Sequence, residues 1–146
     1  MKLLFVSLMI MISVLIPNAY AANRQFDCTR VKRGMFYYEA SPDLFIIIER
    51  NENFQRQHRL YETFYKVENI TWMDPCSYIL KTTELNDPFL GNEIGSESEI
   101  RIVSVTETYY EYITKENGKR KDKQKIYFLK DLAKIIEKQK KYNVSD

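Results

Sequence analysis

The chain has 146 residues, 45% of them apolar and 14% aromatic, and 22 Lys and Arg stand against 20 Asp and Glu. That near-neutral balance gives no global attraction to nucleic acid or to strongly acidic partners. One histidine and two cysteines leave little material for the clustered ligands of a catalytic metal site, and neither a cofactor nor a metal is expected.

The N-terminus reads as a secretory signal. Lys2 supplies a positive start, and residues 3–16 are apolar except for Ser7 and Ser13. Pro17 and Asn18 end the run, and Ala19-Tyr20-Ala21 offers small residues where a signal peptidase reads. The run is shorter than the roughly 20 residues of a membrane-spanning helix. Residues 1–21 are therefore expected to be removed near Ala21. Residues 22–146 then form one β-rich domain, exported to the periplasm or beyond, monomeric and without a spanning segment. In an exported chain an even pair of cysteines suggests a Cys28–Cys76 disulfide. The alternative is a redox or metal pair, for which the wide spacing is unusual.

The exported part reads mainly as strands, rich in Tyr, Phe, Ile, Val and Thr. Residues 34–39 (GMFYYE) form the first, and Ser41-Pro42-Asp43 turns the chain. Residues 44–50 (LFIIIER) are nearly all apolar, as expected of a strand buried on both faces. Residues 54–62 read as a polar, solvent-facing strand. In 63–72 the apolar phase switches, and a bulge or bend near Glu68–Asn69 would explain it. Met73-Asp74-Pro75 turns into a return strand at 76–83. Residues 86–98 are a loop candidate, and 99–114 read as one long strand. Asn117-Gly118 is the strongest hairpin signal, since a two-residue turn wants positive φ at both positions. Residues 125–129 return. From 130 the period becomes helical through Leu132, Ile135 and Ile136, with Asp131 placed to cap. A helix over 130–141 follows. The expected fold is mainly β: an antiparallel meander of about seven strands, curled into a small lipocalin-like barrel or half-barrel, plus one C-terminal helix.

Cys28 is followed by Gly34-Met35-Phe36. A strand ends at Ile48-Glu49-Arg50, and a polar strand carries Gln55 and Gln57. Trp72, a turn and Cys76-Ser77-Tyr78-Ile79-Leu80 follow, and Ile94-Gly95 precedes an apolar strand. In these residues the chain resembles a family of short exported proteins of Gram-negative bacteria. The resemblance spans roughly 27–113 and implies export and a β fold. It brings no activity. Some members carry a DNA topoisomerase IV label, which an exported domain of this size with a single histidine does not support.

Chemistry-bearing residues are sparse. His58 stands alone in a polar strand. Glu107, Glu111 and Glu116 have no spacing that singles out a catalytic pair. There is neither a Gly-x-Ser-x-Gly elbow nor a phosphate-binding glycine loop. Tyr38, Tyr65, Trp72, Tyr78 and Tyr110 are expected either to line a pocket or to fill the core. Lys119, Arg120, Lys121 and Lys123 surround the Asn117-Gly118 turn and could touch an anionic surface, or simply keep a hairpin tip solvated. The reading that fits is a non-catalytic binding module of the cell envelope, taking a small apolar ligand or an envelope partner. The alternatives are an envelope hydrolase with a dispersed carboxylate site and a purely structural interaction protein.

Overall fold

A computed structural model describes residues 26–42, 44–60, 62–86 and 94–143. The expected signal segment at 1–21, the middle of the expected loop at 87–93 and residues 144–146 lie outside these. A 3₁₀ helix, Cys28–Val31, comes first. Nine strands follow: β1 Gly34–Ser41, β2 Leu44–Arg50, β3 Phe54–Arg59, β4 Tyr65–Asp74, β5 Ser77–Leu85, β6 Glu97–Val105, β7 Tyr109–Glu116, β8 Lys119–Arg120 and β9 Gln124–Phe128. Helix α1, Leu132–Asn143, ends the chain.

Strands β1 to β7 each pair antiparallel with the next, and β9 pairs with both β7 and β1. The sheet thus closes on itself as an eight-stranded up-and-down barrel, with β8 extending only the tip of the β7 hairpin. Closure leaves no free edge along the ring. The seam is its shortest joint: β1 pairs with β9 through Phe36↔Phe128 and Tyr37↔Tyr127, and the Leu129 amide just beyond β9 donates to the Met35 carbonyl at 2.9 Å.

The expected long strand at 99–114 is in fact the β6–β7 hairpin. Its turn lacks Gly, Pro or Asn and is built instead on a threonine. The Thr106 amide donates to the Tyr109 carbonyl at 2.9 Å. The Thr106 hydroxyl also donates to that carbonyl and accepts from the Tyr109 amide at 3.1 Å. The Asn117-Gly118 turn forms as expected, with φ of 48° and 75°. The bend expected near Glu68–Asn69 is present as a register shift against β5, between Val67 and Glu68.

Side chains alternate between lumen and outer wall. Phe36, Ile48, Ile70, Tyr78, Leu80, Ile100, Ile102, Tyr110 and Ile126 point inward and form the main core. Helix α1 covers part of the outer wall: Ile135 packs on Phe45, Ile47 and Leu60, with Tyr37, Leu129 and Ile136 around them. This is why residues 44–48 are apolar on both faces. The helix starts at Leu132, two residues later than expected, because the Asp131 carboxylate caps it by accepting from the Ala133 amide at 3.0 Å.

The 3₁₀ helix closes one end of the barrel. The Cys28–Cys76 disulfide ties it to the β4–β5 turn. The Arg30 guanidinium donates to the carbonyls of Thr106 and Glu107 and lies over the Phe128 ring. Lys32 lies over Trp72, and Arg33 pairs with Glu52 at 3.0 Å. Each of the neighbouring turns at this end is therefore held to the stopper by a separate contact.

Candidate functional site: the barrel lumen

An eight-stranded barrel has an interior just wide enough to be filled by side chains or to hold one small ligand. Here it does some of each. Next to the stopper the lumen is packed: Phe36 meets Tyr110 edge-on at 5.8 Å and Phe128 at 5.6 Å, and Trp72 meets Tyr78 at 4.6 Å. Away from the stopper a cavity of about 290 Å³ remains. Ile48, Leu80, Ile100 and Ile126 give it apolar walls, and Ser98, Thr114, Tyr38 and Tyr112 give it hydroxyls.

Arg50, the last residue of β2, is turned inward and only 6% exposed. Its Nε and Nη2 both donate to the Gln55 side-chain oxygen, at 2.9 and 2.6 Å. Nη1 donates to the Val31 carbonyl at 3.0 Å, and Nη2 to the Tyr110 hydroxyl at 3.1 Å. The guanidinium also lies within cation–π range of Phe36, Tyr78 and Tyr110. A buried guanidinium is costly unless its donors are used, and these contacts use them.

The network continues across the lumen. Gln55 and Gln57 both donate to one Glu68 carboxylate oxygen at 2.6 Å, and the Lys66 ammonium lies 2.9 Å from the other. The Tyr38 hydroxyl donates to the Gln57 side-chain oxygen at 3.2 Å. The pairing of β3 with β4 sets Gln55 opposite Glu68 and Gln57 opposite Lys66, which is what brings these groups together. At the mouth Lys121 pairs with Glu116. That pair and the Ser98 hydroxyl hold the Glu116 carboxyl below its usual range, the Lys121 hydrogen bond contributing most. Among the described cavity-lining residues, Arg50, Lys66 and Lys121 stand against Glu68 and Glu116, an excess of one positive charge.

Three lumen phenols, Tyr38, Tyr78 and Tyr112, are held in the protonated form. Burial pushes the Tyr38 hydroxyl up to about 12, with the Glu68 charge adding to the effect. Burial foremost, and then Tyr110, also raises Tyr112. Burial raises Tyr78 well above the ordinary tyrosine value, although Arg50 opposes this. At neutral pH these groups are hydrogen-bonding hydroxyls rather than bases.

The aromatic residues singled out from sequence divide by strand parity. Tyr38 lines the cavity near its mouth, and Tyr78 lines it deeper in. Tyr110 and Trp72 belong to the packed end; the Trp72 indole N–H donates to the Glu52 carbonyl at 3.0 Å. Tyr65 stands on the outer wall, under Arg56. The basic run is also divided. Lys121 reaches the mouth, Lys123 pairs with Glu111 at 3.0 Å, and all four of Lys119, Arg120, Lys121 and Lys123 are exposed. His58 is outside the barrel beside Glu49. The polar strand expected to face solvent in fact turns Gln55 and Gln57 inward. These two, with Arg50, Lys66 and Glu68, are the site residues that pattern reading missed. Their signal was polar residues at i and i+2 in two consecutive strands.

Among the described residues, no group of three or more His, Cys, Asp or Glu is arranged to hold a metal ion, and no helix is long and apolar enough to cross a membrane. No family model matches the sequence, no curated protein matches it, and no solved structure matches the fold.

Proposed function

We propose that this chain is an exported, non-catalytic binding barrel of the cell envelope, whose lumen takes one small amphipathic acid. The observation that carries the reading is the cavity itself. It is stoppered at one end, apolar along its walls, and polar toward its open end, where Lys66, Lys121, Ser98 and Thr114 line it and the lysine-rich hairpin stands, with an excess of one positive charge over its described lining. An apolar portion would lie against Ile48, Leu80, Ile100 and Ile126. An acidic head would meet Lys66, Lys121, Ser98 and Thr114. The size fits a ligand near the lower end of small-molecule pockets. A ligand apolar throughout would leave the polar half of the cavity unmatched.

Export is supported by the N-terminal pattern, by the resemblance to exported proteins and by the Cys28–Cys76 bridge, which suits an oxidising compartment. Hydrolysis is the weaker reading. A general acid needs a raised carboxyl pKa, whereas the Glu116 carboxyl is held low by Lys121 and Glu68 is covered by three donors.

The test is a titration of the chain starting at residue 22 with 1-anilinonaphthalene-8-sulfonate, an amphipathic anion. Saturable one-to-one binding is expected, lost in Ser98→Trp, which fills the cavity, and weakened in Lys121→Met. Equal binding by the wild type and the folded Ser98→Trp variant would defeat the reading.

A further inference from the structure

The basic run around the hairpin tip is two features rather than one. Lys121 pairs with Glu116 and lines the lumen mouth, while Arg120, the last residue of β8, turns to the outer wall. There Arg120 sits opposite Lys115, Lys115 opposite Glu99, and Ile113 opposite Arg101. The register thus gathers Arg101, Lys115 and Arg120 on one stretch of the outer β6–β7 wall. A groove of about 580 Å³ runs between them, with Val103, Ile113 and Phe26 as its apolar lining. Among the described residues Glu99 is the one carboxylate lining it, and it lies 3.7 Å from the Lys115 ammonium, so the described lining keeps an excess of two positive charges. Arg101, Lys115 and Arg120 are all exposed.

We propose that this outer groove docks an acidic peptide segment of a partner protein, independently of the lumen. Charge complementarity and shape select that occupant. Three cations along a recessed apolar floor match an extended chain that carries carboxylates on one side and apolar side chains on the other, repeating every second residue. A bilayer surface is flat and cannot place its headgroups into a recess while covering the floor. An acidic glycan would satisfy the cations and leave Val103, Ile113 and Phe26 unmatched. Exposed ion pairs are individually weak, so the apolar floor supplies the distinction between a peptide and any other polyanion.

The test uses the chain starting at residue 22 and surface-bound copolymer of glutamate and tyrosine, with polyglutamate, heparin and phosphatidylglycerol vesicles as comparators. The copolymer is expected to bind more tightly than the other three. Arg101→Ser/Lys115→Ser/Arg120→Ser should weaken it by about tenfold or more, as three modest ionic contacts are removed together. Ile113→Ser should weaken the copolymer and leave polyglutamate unchanged. Ser98→Trp, which blocks the lumen, should leave copolymer binding intact. Unchanged copolymer binding by the triple variant would overturn the proposal. So would heparin or vesicles binding more tightly than the copolymer through the same three residues, or loss of copolymer binding in Ser98→Trp.

Discussion

Arg50→Met tests whether the lumen network holds the barrel together. The substitution keeps an unbranched side chain of similar reach and removes every donor. Three buried acceptors then lose their partner: the Gln55 side-chain oxygen, the Val31 carbonyl and the Tyr110 hydroxyl. Each buried group left unsatisfied costs about 1–3 kcal/mol. The methionine recovers part of this, since a guanidinium no longer has to be desolvated. Three affected acceptors less that partial recovery give a net cost of about 3–5 kcal/mol. With a urea slope of about 2 kcal/mol per molar, the unfolding midpoint should fall by about 2 M, followed by Trp72 fluorescence. Glu68 retains Lys66 and two glutamines, so Glu68→Gln added to Arg50→Met should cost less than the two separate losses combined, by about 0.5–3 kcal/mol. A midpoint shift under about 0.5 M for Arg50→Met, or strict additivity, would refute the idea that Arg50 and Glu68 belong to one network.

Three further outcomes follow from the same contacts. Reducing the Cys28–Cys76 bridge, or replacing both residues by alanine, removes a cross-link spanning 48 residues and should lower stability by about 4 kcal/mol in the chain-entropy model; urea melts with and without reductant measure it. Tyr38, Tyr78 and Tyr112 have folded-state values above those of free tyrosine, so the folded chain holds protons the unfolded chain releases. Their stabilising contribution is complete below the unfolded value near 10 and is lost as pH rises toward about 12, the folded value of Tyr38. Ultraviolet titration should accordingly show a set of phenols that ionise only as the barrel unfolds. Ile135→Ala empties the contact between α1 and Phe45, Ile47 and Leu60 and should cost about 2–4 kcal/mol, with urea melts showing whether the helix and barrel unfold together.

The fold was legible wherever the signal was local. Residues 44–48 read as buried on both faces because the lumen and α1 each take one face of β2. Asn117-Gly118 marked its own turn, and Asp131 its own cap. The β6–β7 hairpin escaped because its turn depends on the Thr106 hydroxyl, a device with no strong compositional mark. The site escaped for a different reason. Gln55, Gln57, Lys66 and Glu68 are polar, and polar residues on strands are ordinarily assigned to solvent. Only closure of the barrel turns that polar stripe into an interior. Closure depends on the meeting of β1 with β9, a pairing between residues 92 positions apart, Phe36 and Phe128, that no local pattern encodes.

The most direct test of the lumen as a ligand site is native mass spectrometry of the protein purified from the cells that make it. The account predicts a chain starting near residue 22, two hydrogens light from the Cys28–Cys76 bridge, carrying one small acidic molecule that is released on activation and absent from Ser98→Trp. A bare folded chain from those cells, or a ligand that Ser98→Trp retains, would contradict it.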